Sequence, residues 1–205
     1  MEEQLAAIRE WLGQGSVNIF GMPFAGKDTQ GGALADLFDA ELLGGGTILR
    51  NGVIPPHVQK IMDNGGLIPT EDYLHIVMPF LSHERLEGKP LLLSSVGRWH
   101  GEEHGVMQAT KAAGHPIRAV ILLTVSEAVA RKRHDNLNRD ERGNRTDDAP
   151  DVFEKRLHEF REKTLPVIEF YRDHGLLIEI DGDQKPVAVT DDIIEQLLKR
   201  AKSAA

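Results

Sequence analysis

Gly21-Met22-Pro23-Phe24-Ala25-Gly26-Lys27-Asp28-Thr29-Gln30 is the stretch on which the reading of this chain turns. The spacing from Gly21 to Gly26-Lys27 satisfies G-x-x-x-x-G-K. In such a loop, backbone N–H groups converge on phosphate oxygens and the lysine reaches the outer phosphates of a nucleoside triphosphate. Val17-Asn18-Ile19-Phe20 before it reads as a short buried strand, and Leu34, Leu37 and Phe38 after it recur at helical spacing. Strand, glycine loop and helix in that order are the context a phosphate loop requires.

The residue after the lysine is usually Ser or Thr, which ligates magnesium; here it is Asp28, with Thr29 following. Two readings stand for Asp28. A carboxylate in the first turn of a helix is favoured by the helix dipole and needs no further role. As a hard oxygen ligand it serves Mg²⁺ directly.

Outward from the loop, further apolar runs occur at Glu41-Leu42-Leu43, Pro90 to Leu93, Val120 to Val125 and Leu177 to Ile180. Most are continuous rather than alternating, which suits parallel strands covered on both faces. Helical stretches separate them: Glu102 to Ala113, Ser126 to Leu137 with Ser126 as N-cap, and Asp148 to His174 interrupted at Pro166. A last helix is expected from Thr190 to Lys202, capped by Thr190. Ahead of the core, Leu5, Ile8 and Leu12 mark a packing helix within residues 1–16. The alternation predicts an α/β fold, a doubly wound parallel sheet of about five strands with ligands at the carboxyl ends of its strands.

The 205 residues suit one domain, and 40% hydrophobic content can fill its core. There is no cysteine, which excludes disulfides and thiolate metal sites. A net charge of −8 speaks against nonspecific nucleic-acid binding. The polar start and the lack of any apolar run near the roughly 20 residues that span a bilayer point to a cytoplasmic protein without a membrane partner. Nine of the 24 basic residues nevertheless fall between Arg131 and Arg161, which suits either a small polyanionic ligand or a salt-bridged helix face.

Read in order, these features resemble the adenylate kinase family of nucleoside monophosphate kinases, whose loop runs G-x-P-G-x-G-K-G-T-Q. Gly46-Thr47-Ile48-Leu49-Arg50 is similar to its G-D-x-L-R, and Ile61 to Pro69 to its M-D-x-G-x-L-V-P. Leu92-Leu93-Ser94-Ser95-Val96-Gly97-Arg98 stands where the family has L-L-D-G-F-P-R. Arg145-Thr146-Asp147-Asp148, Lys155-Arg156-Leu157 and Thr164 to Tyr171 resemble its later segments.

The resemblance implies a monomeric single-domain kinase acting on ATP and a nucleoside monophosphate with Mg²⁺. It implies a monophosphate-binding region at about 46–76 and a short lid at about 136–147. Lys27, Arg98, Arg145 and Arg156 are implied as catalytic. Gly21, Ala25, Gly26, Lys27, Asp28, Thr29, Arg133 and Lys185 are implied for ATP, and Thr47, Arg50, Arg98 and Glu102 for the monophosphate. Asp28 and Thr29 are the candidates for Mg²⁺. Arg139 and Arg142 compete for one further lid position.

Several positions depart from the pattern: Phe24 replaces a loop glycine, Ser94 the strand-end aspartate, Thr47 the aspartate of G-D-x-L-R, and Gly97 the proline before the arginine. A nucleotide-binding relative with weak or no transfer is therefore the competing reading. Asp28 is expected to replace the carboxylate missing at Ser94. Glu102 stands where the family has a glutamine that hydrogen-bonds adenine. Ionised glutamate only accepts, which suits guanine's donors and leaves GMP or another small acceptor open beside AMP; the bland reading is that Glu102 flanks the next helix. His100 and His104, spaced i, i+4, read as surface histidines rather than metal ligands.

Overall fold

The computed structural model of the protein describes residues 2–46, 48, 54–76, 78–136 and 150–204. Five parallel strands form one sheet in the order β2-β3-β1-β4-β5. They are β1 (Ser16–Gly21), β2 (Glu41–Gly44), β3 (Leu91–Ser94), β4 (Ile117–Thr124) and β5 (Leu177–Asp181). β1 lies at the centre, with Val17 opposite Leu92 of β3 and Ala119 of β4. Chain direction reverses its advance across the sheet on either side of β1, so the crevice beyond Gly21 is a topological switch point.

All six residues of β1 are buried, as a central strand covered on both faces demands. On one face, Val17, Ile19, Ile121 and Leu123 pack with α1 (Glu2–Leu12), α2 (Lys27–Phe38) and α9 (Pro186–Ala204) through Leu5, Ile8, Leu34, Ile193 and Leu197. On the other, Phe20, Val120 and Leu122 pack against Val167, Ile168 and Tyr171 of α8 (Leu165–Asp173). Neighbouring residues of β1 and β4 thus serve opposite cores, the period-two consequence of strand geometry. The first helix is built into the main core, and Arg9 donates to Leu37 O through Nε (3.0 Å) and Nη2 (2.7 Å), closing the end of α2.

The remaining helices are α3 (Pro56–Asp63), α4 (Thr70–Ile76), α5 (Glu103–Ala112), α6 (Glu127–Asp135) and α7 (Pro150–Glu159). Neither α3 nor α4 was anticipated, since both are short and lean on tertiary contacts: Val58 and Tyr73 are buried in a third cluster with Leu43, Leu91 and Leu93. Ser126 caps α6 as expected, its Oγ accepting from Val129 N.

Two expectations are corrected. Thr190 is not the cap of the last helix, which begins a turn earlier at Pro186, a residue whose fixed φ and missing N–H suit a first turn. The Thr190 hydroxyl, with one hydrogen to give, lies instead within bonding distance of Pro186 O in the helix (3.0 Å) and of Gln30 Oε1 across from it (2.8 Å). The long helix expected to break at Pro166 instead widens before it, as a π-turn over Phe160–Thr164 in which Leu165 N–H donates to Phe160 O. Pro166 cannot donate to residue 162 and its ring crowds that carbonyl, so the ladder shifts register one turn ahead.

Candidate active site

At the carboxyl end of β1 the chain turns so tightly that a Cβ on Gly21 would lie 2.9 Å from both Ala25 Cβ and Leu123 O. Gly26, at φ 100°, occupies the left-handed region and forms the N-cap of α2, which begins at Lys27. Nothing lies within 4 Å of where its Cβ would be. No side chain caps α2, and Gly26 to Thr29 line a cavity, so its first turn and helix dipole favour an anion there. Lys27 folds back over the loop, its Nζ donating to Gly21 O (2.7 Å) and Met22 O (3.0 Å).

Phe24 also takes a left-handed φ of 65°, uncommon for a side-chain-bearing residue. Its ring lies edge-on to Phe153 of α7 (5.5 Å between centroids) and to His134 of α6 (5.2 Å). The aromatic that replaces a glycine is thus anchored in packing with the helices beside the loop. Arg133 ties the same region together, donating through Nη1 to Phe24 O (3.2 Å) and through Nη2 to Gly182 O (2.7 Å).

Asp28 and Ser94 meet: the Ser94 hydroxyl at the end of β3 donates to Asp28 Oδ1 at 3.3 Å. The Asp28 carboxylate on α2 thus lies beside the end of β3. Asp28 and Thr29 are both exposed and line the same cavity, so their oxygens are accessible to a hard cation.

Beyond Ser94, Ser95 (φ 52°) and Gly97 (φ 74°) bend the chain toward Arg98. A proline, locked near φ −65°, cannot occupy the backbone of Gly97, which accounts for that departure. The bend is held by Asn18 on β1, fully buried, whose Nδ2 donates to Val96 O (2.8 Å) and whose Oδ1 accepts from Val96 N (3.2 Å). Asn18→Leu strands both backbone groups, each costing about 1–3 kcal/mol when left unpaired. A destabilisation of about 2–6 kcal/mol for the two groups together is expected by urea unfolding, along with weaker binding at Arg98.

Arg98 is anchored through its backbone. Its N–H donates to Glu102 Oε2 (2.9 Å) and its carbonyl accepts from Thr164 Oγ1 (3.3 Å) on the π-turn. Its guanidinium makes no hydrogen bond or ion pair with any described residue, although it lines the cavity. Burial, reinforced by the neighbouring Arg156, lowers Arg98 to about 10, which leaves it cationic at neutral pH. Glu102, 2% exposed, also accepts from Trp99 N (3.1 Å), with the Thr70 hydroxyl close to its carboxyl and its other oxygen, Oε1, buried. It borders α5 but turns back onto the preceding loop rather than capping the helix. Tyr73 of α4 completes the wall, its Oη accepting from Gly97 N (3.0 Å).

These groups surround one cavity of about 660 Å³. It gathers Gly21, Ala25, Gly26, Lys27, Asp28, Thr29, Arg98, Glu102, Arg133 and Arg156. Lys185 does not reach it and stands exposed, while its neighbours Gln184 and Pro186 do. Thr47, Arg50 and Arg145, like the competing Arg139 and Arg142, lie outside the described residues. Sequence reasoning missed Tyr73, Trp99, Glu159 and Thr164, which also line the cavity. Only Trp99, a large aromatic directly after the arginine, offered a local signal. His100 pairs with Glu103 (3.0 Å) while His104 stacks edge-on against Phe170, so the two point to different partners; no group of three or more metal-ligating side chains occurs among the described residues.

The cavity is thus a phosphate-binding loop facing a second cationic end. Comparison with known proteins gives the family. A family model described as adenylate kinase matches residues 19–176. The chain is 33% identical over 187 residues to the adenylate kinase of Cyanothece sp., covering 87% of this chain and 94% of that protein. It is 32% identical over 196 residues to the adenylate kinase of Agrobacterium fabrum, covering 89% and 97%. For the adenylate kinase of Methylobacterium nodulans the figures are 31% over 191 residues, 88% and 94%.

Proposed function

The chain belongs to the adenylate kinase family and is a phosphotransferase, and from that premise we propose that it moves the γ-phosphoryl group of ATP to AMP, yielding ADP from each. The observation that carries this reading is Arg98: a partly buried cation lining the same cavity as the phosphate loop and held from both sides of its own backbone, with no hydrogen bond from its guanidinium among the described residues. A site that only bound ATP would have no use for it.

In the proposed reaction an oxygen of the AMP phosphate attacks the γ-phosphorus in line, and the bond to the β,γ-bridging oxygen breaks. No side chain acts as nucleophile, so catalysis is positioning plus neutralisation of charge. The N–H groups of Gly26 to Thr29 at the start of α2 and the Lys27 ammonium take the triphosphate, with Gly21 and Ala25 shaping the loop. Arg98 takes the acceptor phosphate, and Arg156 serves the phosphoryl group between them, with Arg145 assigned beside it and Arg50 and Thr47 assigned to AMP. Arg133 holds the base-side wall by its bonds to the Phe24 and Gly182 carbonyls, and Lys185 flanks that wall.

The residues present fit Mg²⁺. Asp28, with Ser94 against it and Thr29 beside it, provides hard oxygens on the cavity rim next to Lys27. Bound there, the ion would neutralise phosphate charge during transfer. Asp28→Asn is expected to raise the Mg²⁺ concentration for half-maximal nucleotide binding by about tenfold, the scale of one lost hard ligand or its support. Titrating Mg²⁺ against nucleotide binding by calorimetry checks it, and an unchanged requirement would sink the assignment.

A cytoplasmic monomer with small-molecule partners is the setting proposed. The large exposed apolar side chains among the described residues, Leu42, Phe80, Leu165 and Val187, are scattered along the chain, and no described helix is long and apolar enough to cross a membrane. A coupled assay with MgATP and each of AMP, GMP, CMP and UMP tests the function. AMP is expected to turn over fastest; ATP binding without turnover of any monophosphate would reject the reading.

A further inference from the structure

Phe24 holds its backbone at φ 65°, where glycine sits without steric cost and an aromatic residue is uncommon. A side-chain-bearing residue persists there only where its surroundings over-determine it, and such positions gather at functional sites. Phe24 is gripped by two of its groups. Its carbonyl accepts from Arg133 Nη1 (3.2 Å), and its ring meets His134 and Phe153 edge-on, at 5.2 and 5.5 Å between centroids. His134 is in turn stacked on Phe153 at 4.4 Å, with 15° between the ring planes.

These contacts belong to a small apolar cluster apart from the main core, built on Ala130 of α6 and on Phe153 and Leu157 of α7. The two helices are also fastened at the surface, where Arg131 of α6 pairs with Glu154 of α7. Phe24 is therefore the point at which the phosphate loop is seated on a joined pair of helices. One turn after Phe153, on the same side of α7, comes Arg156, which lines the cavity. The Arg156 stem lies against the turn that follows α3: a Cβ on Gly65 would be 3.3 Å from Arg156 Cγ and 2.7 Å from Val152 Cγ1. Thus α7 is lodged between the two sides of the cavity, and the Phe24 ring is its seat on the phosphate side.

Resting on the reading above, in which Arg156 serves the phosphoryl group, we propose that Phe24 is a positioning residue: through Phe153 it fixes α7 against the phosphate loop and so sets where Arg156 stands in the cavity before nucleotide binds. A displacement of a helix by about 1 Å is enough to cost up to about a hundredfold in rate when it carries a group that must meet the reacting atoms.

The test is a set of double-mutant cycles on the full-length protein. Phe24→Gly keeps the path of the loop, since glycine takes φ 65° freely, and removes the ring. It is expected to lower kcat about ten- to a hundredfold while KM for ATP and for AMP moves by less than about threefold. A ring that merely shaped the loop would give the opposite split, with KM for ATP raised and kcat kept. Phe153→Leu removes the same ring contact from the α7 side and lowers kcat in the same way; adding Phe24→Gly to it costs less than about twofold more, because the contact is already lost. Added to Arg156→Ala, Phe24→Gly again costs less than about twofold, because the group being positioned is gone. Added to Arg98→Lys, whose anchors are Glu102 and Thr164, it costs its full factor. Phe24→Leu, apolar but without the ring, gives a smaller loss of the same kind and carries the same cycles where the glycine variant does not fold. Additive losses with Phe153→Leu or with Arg156→Ala, or an unchanged kcat in a folded Phe24→Gly protein, overturn the proposal. Wild type that turns over no monophosphate would instead overturn the kinase reading, and this role with it.

Discussion

Lys27→Met is expected to lower kcat/KM for MgATP by about a thousandfold, the upper end for losing one preorganised donor at a site of developing charge. The lysine's value lies in where it is held. Its ammonium is pinned by the Gly21 and Met22 carbonyls, at 2.7 and 3.0 Å, above a helix whose first turn has no side-chain cap. A compact cation is thus fixed over the place where phosphate charge gathers, with little left to reorganise. Lys27→Arg should not restore activity, because a planar fork cannot replace a point charge curled beneath two carbonyls. The measurement is a coupled assay beside thermal unfolding of each variant. Activity within tenfold of wild type in a folded Lys27→Met protein would contradict the assigned role.

Arg98→Ala is expected to cost about 10³- to 10⁴-fold in kcat/KM for AMP, within the range known for arginines that stabilise a transferring phosphoryl group. KM for ATP should change little, because the phosphate loop is bonded independently of this residue. The asymmetry follows from the anchoring: Arg98 is fixed through N–H and carbonyl by Glu102 and Thr164, which leaves its guanidinium available to the ligand. Truncation leaves those backbone bonds intact, and little loss of stability is expected. Arg98→Lys should recover part of the rate, since it restores charge but not the fork. Equal losses for ATP and AMP, measured by initial rates with each substrate varied, would place Arg98 elsewhere in the mechanism.

Much of this site was legible in sequence because phosphate chemistry imposes local spacing. Gly21, Gly26 and Lys27 lie within one turn of chain and must be contiguous to form the loop. The strand before it and the helix after it follow from apolar periodicity, as do the other four strands. The departures were legible as positions but not as geometry. Phe24 reads as a stiff intruder among glycines; in space it is a left-handed residue bound to His134 and Phe153, more than a hundred residues away. Gly97 reads as a lost proline, whereas its φ of 74° excludes proline altogether. Thr190 has the chemistry of a cap, and Pro186 displaced it because the earlier start lets the Thr190 hydroxyl reach Gln30 on α2.

The sequence alone determined the order of the five strands along the chain and the phosphate loop with its Lys27, since each depends on residues near one another in the chain and on apolar runs that any fold must bury. Tertiary structure alone decided which distant groups share a cavity: Asp28 against Ser94, 66 residues apart, Asn18 clamping Val96, and Thr164 on a π-turn holding Arg98. It also decided the surroundings of Glu102, with one oxygen accepting from the Arg98 and Trp99 backbone and the other buried. Those outcomes rest on close packing between strands that are adjacent in the sheet but far apart in the chain. A side chain's burial and its partners are set by that packing, and no local pattern of residues encodes them.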